Sequence, residues 1–239
     1  MGAPAGASVA SGSAVRLDSA GLPFIAGALG LAVVSAAAGT WTLVMAFGAL
    51  AAMFAFFFRD PERMPAAGVD VVLAPADGRV LVAGPAVATA APPGTWQQIS
   101  IFLSPMDVHV NRIPVSGRIT QVSLKPGRFL PAYRDDAGSE NERSEIWIDH
   151  DGRTVVARQI VGILARRVVC RATIGSEVRA GDRFGIMKFG SRMDVFVPEA
   201  ATLTVKMGDV VRGGETVIAV LGAKTQKDTE DTKDTKAQS

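Results

Sequence analysis

The sequence predicts a mainly β fold, a barrel or sandwich of short strands, preceded by an N-terminal hairpin of apolar helices. Three observations predict it. After Phe58 the chain is a series of β-branched or alternating runs bounded by Gly, Pro or Asp. No long amphipathic helix interrupts them. Before Arg59, residues 19–58 contain no Asp, Glu, Lys or Arg. A bilayer core takes about 20 apolar residues per helical span, so this run has the length of two.

The elements follow in order. Residues 1–18 are mostly Ala, Gly and Ser and are predicted to be disordered. "GLPFIAGALGLAVVSAAAG" and the more apolar "WTLVMAFGALAAMFAFFF" form the two helices, turning near Gly39-Thr40. Trp41 suits an interface, and Arg16, Arg59 and Arg63 flank the pair, as cytoplasmic flanks do. A cleaved signal peptide and a helical hairpin buried in a soluble core are the alternatives. The globular part is 59–222. Its strands are read in "VVLAPADGRVLVAG", "QQISIFLS", "GRITQVSL", "EIWIDHDGRTVVARQIVG", "RRVVCRATI", "MDVFVP" and "ATLTVKM". Asp151-Gly152 centres a hairpin turn, which leaves His150 facing solvent. Two echoes suggest pseudo-two-fold hairpin repeats: "PADGRV" with "PVSGRI", and "VRAGDRF" with "VRGGETV". Residues 223–239 alternate charges with Thr and read as a solvated, disordered tail.

Composition narrows the function. A net charge of +2 gives no footprint for nucleic acid. A single cysteine, Cys170, makes no intrachain disulfide. Two histidines without an H-x-H or H-E-x-x-H pattern give no metal site. Taken singly, Asp77, His109 and Ser191 each read as a turn or structural residue.

Together with their neighbours they resemble a family. "SPMDVHVNRIPVSG", "NER" at 141–143, "QIVGILARRVVC" and "GDRFGIMKFGSRMDVFVP", in that order, resemble the phosphatidylserine decarboxylases, in particular their short bacterial and archaeal branch. The resemblance covers 59–222. It implies a membrane enzyme that makes phosphatidylethanolamine and CO2 from phosphatidylserine, with its catalytic domain facing the cytoplasm. It also implies a proenzyme that cuts itself between Gly190 and Ser191. Ser191 then becomes a covalent pyruvoyl group, an electron sink that needs no added cofactor. The product is a heterodimer of two chains, with a higher homo-oligomer left open. By resemblance Asp77 and a histidine polarise Ser191 for self-cleavage. The long-form enzymes resemble S-P-x-D-x-H-x-x-H-x-P. This chain has His109 at the first histidine and Arg112 at the second, as the short branch does. An always-charged Arg112 is a poor base; with Asn111 it is a candidate for binding the substrate's carboxylate or phosphate. His109, with an ordinary imidazole pKa near 6.5, would exchange protons near neutral pH.

Two other classes remain open on the residues alone. The strand echoes also resemble a biotinyl or lipoyl carrier with Lys188 modified, although the long segment 85–170 exceeds such a domain. A membrane-anchored adaptor β domain without chemistry is the other. Diacyl and archaeal ether lipids share the head group, which does not separate them.

Overall fold

The computed structural model describes residues 16–88, 91–134, 136–163, 168–188 and 191–222. Strand β1 (Arg16–Leu17) leads through a 3-10 turn into helices α1 (Leu22–Ala37) and α2 (Trp41–Phe57), which pack against each other. Asp18 accepts a hydrogen bond from Ala20 N–H at 2.9 Å, and Pro23 stands in the first turn of α1, where no intrahelical donor is lost. Phe24 meets Phe54 and Phe58 at ring distances of 5.5 and 5.6 Å, closing the pair at its base. Leu29, Leu31, Val33, Val34 and Met45 point outward and exposed. By length and composition, Ser19–Ala37 is long enough to cross a membrane.

Residues 16–18 depart from the disorder expected of the N-terminus. β1 pairs with β2 (Arg59–Asp60), so the chain enters and leaves the helical pair through one short ribbon. Asp18 adds two contacts to Arg171, at 2.7 and 2.8 Å. Burial pushes the Asp18 carboxyl up, but the hydrogen bonds from Arg171 and Ala20 outweigh it and hold the pKa low. The remainder of the two predicted disordered ends, 1–15 and 223–239, lies outside the described residues.

The β region is two interleaved copies of one unit. The first comprises β3 (Val71–Leu73), β4 (Gly78–Pro85) and β5 (Trp96–Leu103). The second follows: β6 (Val110–Arg112), β7 (Gly117–Lys125), the one-turn helix α3 (Ala137–Glu140), β8 (Arg143–His150), β9 (Arg153–Ile160), β10 (Val168–Cys170), β11 (Glu177–Val178) and β12 (Arg183–Met187). Then the first resumes with β13 (Ser191–Pro198), β14 (Thr202–Leu203), β15 (Val210–Val211) and β16 (Val217–Val220). The large antiparallel sheet runs β11-β7-β8-β9-β13-β5-β4-β15, so matching strands occupy matching places from either end. The small sheets β10-β12-β6 and β14-β16-β3 match likewise.

The sequence echoes mark this symmetry. Gly78 (φ 151°) and Gly117 (φ 154°) are equivalent: a Cβ on either would lie 2.1 Å from a carbonyl, that of Phe102 or of Asp149. Asp77 Oδ1 accepts from Gly213 N–H at 2.7 Å; its counterpart Ser116 Oγ accepts from Ala180 N–H at 2.9 Å. The copies also bond reciprocally, Leu73 N–H to Pro114 O and Arg112 N–H to Pro75 O.

Alternate residues of the large sheet, including Ile99, Ile101, Ile146, Ile148, Met193 and Val195, form the main core with the small sheets. A second cluster joins Phe57 and Phe58 of the helical base to Val108, Val110 and Ile186. The expected boundary at residue 58 therefore falls inside a packed cluster. His150 is corrected: it is buried, its Nδ1 donating to Ser116 O at 2.7 Å. The turn is carried by Asp151 (φ 52°) and Gly152 (φ 81°), while His150 is the last inward residue of β8, in phase with Ile146 and Ile148.

Because the Gly117 contact is with backbone, Gly117→Ala has no side chain to push aside. We expect a loss of at least ~2 kcal/mol, read as a lower urea midpoint against the parent chain, both carrying Ser191→Ala.

Candidate active site

Ser191 opens β13, the strand lodged between β5 and β9. It pairs with Leu103, the last residue of β5, and is fully buried. Inward positions of β13 alternate, so Ser191 shares the core face with Met193 and Val195. Its hydroxyl has no hydrogen-bond partner among the described residues. Gly190, the other half of the expected cleavage bond, lies outside the described residues.

His109 stands just before β6, and its carbonyl accepts from Met187 N–H at 3.3 Å. The loop before it is folded on itself: Ser104 N–H donates to Asp107 Oδ2 at 2.7 Å, and Asp107 N–H to Ser104 O at 3.0 Å. The His109 ring lies on Phe57, with centroids 4.1 Å apart, and is fully buried. Nδ1 is 2.9 Å from the Asp107 carbonyl, which can only accept. The proton therefore sits on Nδ1. Nε2 carries the lone pair, and it is buried with no partner among the described residues.

Burial pushes the His109 pKa down to about 4, against the opposing pull of the Asp107 carbonyl and charge; Arg59 lowers it further. At neutral pH this is a neutral base, rather than the group titrating near 6.5 expected from sequence.

Asp77 lies one residue before β4, at the same end of the sheet as Ser191 and on the far side of β5. Its Oδ2 takes Arg63 Nη2 at 2.8 Å, and Arg63 also reaches Glu215 at 3.1 Å. Asp77 is thus a braced carboxylate. No hydrogen bond joins Asp77 or His109 to Ser191. Asp77 and Ser191 stand at one end of the large sheet and His109 packs on Phe57 beneath the helical pair, with no hydrogen bond linking the three.

Arg112, considered for the substrate's carboxylate or phosphate, has both terminal nitrogens committed. They donate to Asp60 Oδ1 (2.8 Å), Pro61 O (2.9 Å) and Gly181 O (3.1 Å). It braces the segment that leaves the helical pair. Asn111, its neighbour, is fully buried and accepts from Gln159 Nε2 at 2.8 Å, leaving Nδ2 without a partner among the described residues.

Gln159 was missed as a site residue. It lies in a motif that carries the family resemblance, but a glutamine in a β-branched run carries no distinct sequence signal. Arg59 was read only as a flank of the apolar run. Its Nη2 donates to Met106 O at 2.6 Å, tying the helical base to the His109 loop.

Ser191 Oγ, the lone pair of His109 Nε2 and the Asn111 amide donor are thus buried polar groups without partners among the described residues. Such groups cost stability unless a reacting partner meets them. His109 Nε2 can accept a proton, and Asn111 Nδ2 can donate one hydrogen bond.

Residues 50–219 match the sequence model of the family described as Phosphatidylserine decarboxylase. Curated relatives carry the name phosphatidylserine decarboxylase proenzyme. One from Granulibacter bethesdensis is 44% identical over 208 residues, 83% of each chain. One from Chlorobium phaeobacteroides is 47% identical over 171 residues, 70% of this chain and 78% of that one. One from Rhodococcus jostii is 44% identical over 220 residues, covering 88% and 90%.

The neutral state of His109 is open to measurement. The unfolded chain takes up a proton near pH 6.5 that the folded protein refuses until about pH 4. Stability is therefore full above pH 6.5 and lost as pH falls toward 4. This single group should cost about 2 kcal/mol between pH 7 and 5. NMR of imidazole-labelled Ser191→Ala proenzyme should show His109 still neutral at pH 5.5.

Proposed function

The chain belongs to the phosphatidylserine decarboxylase family, and on that premise we propose that it is a self-processing, pyruvoyl-dependent enzyme converting phosphatidylserine to phosphatidylethanolamine and CO2. The observation that carries the proposal is the buried, partnerless hydroxyl of Ser191 at the head of a central strand. A turn serine would be wet or bonded to its own loop.

Ser191 Oγ would attack the Gly190 carbonyl carbon, breaking the C–N bond and forming an ester. Removal of the Ser191 α-proton would then expel the Gly190 carboxylate. The dehydroalanine left behind would lose ammonia to water. Residues 191–239 would begin with the pyruvoyl group, and 1–190 would form the larger chain. His109 Nε2 is the acceptor we assign to proton transfer at this position, because it is neutral and unoccupied. Asp77, fixed by Arg63 and Gly213, supports the cleavage as a braced negative charge.

The residues present fit the group. Ser191 lies in a water-excluding pocket, and Asn111 Nδ2 is a donor available to an oxygen there. When formed, the pyruvoyl carbonyl supplies an electron sink for the pair left at the α-carbon as CO2 departs. Phe57 holds the His109 ring in place, and the apolar cluster of Phe57 excludes water from it. We assign the apolar helical pair to the membrane. Its two ends lie on one side, where Arg16, Arg59 and Arg63 point to the cytoplasm.

Intact mass spectrometry tests the reading. Two chains are expected, one ending at Gly190 and one beginning with a blocked residue 191, whereas Ser191→Ala stays single and inactive. One uncut, active wild-type chain would refute the proposal. A second test separates the residues. Time courses of chain cleavage should show Asp77→Asn impaired in processing first. His109→Ala should lose decarboxylation more completely, by about 100-fold or more in the matured fraction. Wild-type turnover by matured His109→Ala would remove it from the catalytic set.

A further inference from the structure

Ser191 Oγ, His109 Nε2, Asn111 Nδ2 and Gln159 Oε1 are buried polar atoms without partners among the described residues. The first three have places in the chemistry above. Gln159 has none. It lies on β9 opposite Met193, two residues along from Ser191 on the adjacent strand and on the same face. Such diagonal neighbours have Cα atoms about 7–8 Å apart. Gln159 is fully buried on the core face, opposite Met193 and in phase with Ala157.

We propose that Gln159 is a positioning residue: it fixes the Asn111 amide so that Asn111 Nδ2–H is reserved for the oxygen carried by residue 191. An isolated asparagine amide can turn over and present either its oxygen or its nitrogen. The 2.8 Å bond from Gln159 Nε2 occupies Asn111 Oδ1 and so fixes which end is free. Space for this contact is kept open by Gly185, which faces Asn111 across β12 and β6. A Cβ there would lie 2.9 Å from Gln159 Nε2 and 2.3 Å from Val169 O. The free donor of Asn111 meets the oxygen of residue 191, and Gln159 Oε1 is left as an acceptor for the N–H of an amine entering the site. An unmet buried donor carries a desolvation cost that a ligand oxygen would recover.

The inference rests on the proposed reading, because it needs residue 191 to react. A donor meeting only the substrate's carboxylate would act on decarboxylation and leave self-cleavage alone, so cleavage is the readout. Asn111→Asp keeps the shape and still accepts from Gln159 Nε2, but places an oxygen where the donor was. At pH 8 its chain cleavage, followed on gels from freshly translated full-length protein, should be about 100-fold slower than wild type. The rate should recover as pH falls toward 5.5 and the carboxyl regains a proton to donate, while wild type changes little. A purely structural role gives no such recovery.

Wild-type cleavage of Asn111→Asp at pH 8 overturns the inference, as does a loss that acid does not reverse. If that variant fails to fold by circular dichroism, Gln159→Glu decides. Its carboxylate accepts from Asn111 Nδ2 and consumes the donor, so cleavage should slow; a wild-type rate would overturn the assignment. Failure of the wild-type chain to cleave would instead refute the reading beneath it.

Discussion

The seating of β13 between β5 and β9 is the constraint on which the rest depends. Its register is fixed from Ser191 opposite Leu103 to Pro198 opposite Trp96, and on the other side from Arg192 opposite Ile160 to Phe196 opposite Val156. A slip of one residue would turn Met193, Val195 and Val197 out of the core and bring Arg192 and Asp194 in. Ser191 is therefore not placed by a loop. It is held by the register of the most central strand, which is why a lone serine can be buried without a partner and still be well positioned.

The outer face of the same sheet enforces that register by charge. Arg192 binds both oxygens of Asp194 and reaches Ser100 Oγ at 3.1 Å; Gln98 Nε2 reaches Asp194 at 3.3 Å. Arg158 pairs with Glu145 at 3.0 Å and lies 4.8 Å over the Phe196 ring. These charges are buried, so removing one partner strands the other at a cost of about 3–5 kcal/mol. Apolar packing on one face and paired charge on the other specify a single alignment. The helical pair is fastened to this frame at Asp18–Arg171, Asp60–Arg112 and Phe57–His109, so the apolar helices help to wall in His109.

Much of the architecture was legible in residue order. Strand runs were visible because alternation and turn glycines are local. The doubled P-x-x-G-R and V-R-x-G segments announced the symmetry because the same close approach of backbones needs the same glycine twice. Ser191, His109 and Asp77 stood out as candidates only through the motifs that carry the family resemblance. Long-range pairing was hidden. Nothing near Arg112 in sequence shows that Asp60 and two carbonyls absorb its donors. Nothing near His109 shows Phe57 lying on its ring and driving it neutral. His150 was misread because the turn was located correctly but the inward phase of β8 was not carried to its last residue. Gln159 needed Asn111, 48 residues away, to acquire a meaning.

The interleaving of the two copies has a thermodynamic consequence. The second copy, 110–187, sits inside the first, and the bond at 190–191 lies on its return path. While the chain is whole, β13 finds β5 and β9 intramolecularly, at an entropic cost that grows only slowly with the intervening length. Were that bond cut, as proposed, β13 to β16 would belong to a separate fragment complementing a larger one. The folded contacts would stay the same, but the unfolded state would become two free molecules, and reassembly would become second order and dependent on dilution. A protein so cut would persist through slow unfolding, with its final arrangement inherited from a precursor that no longer exists.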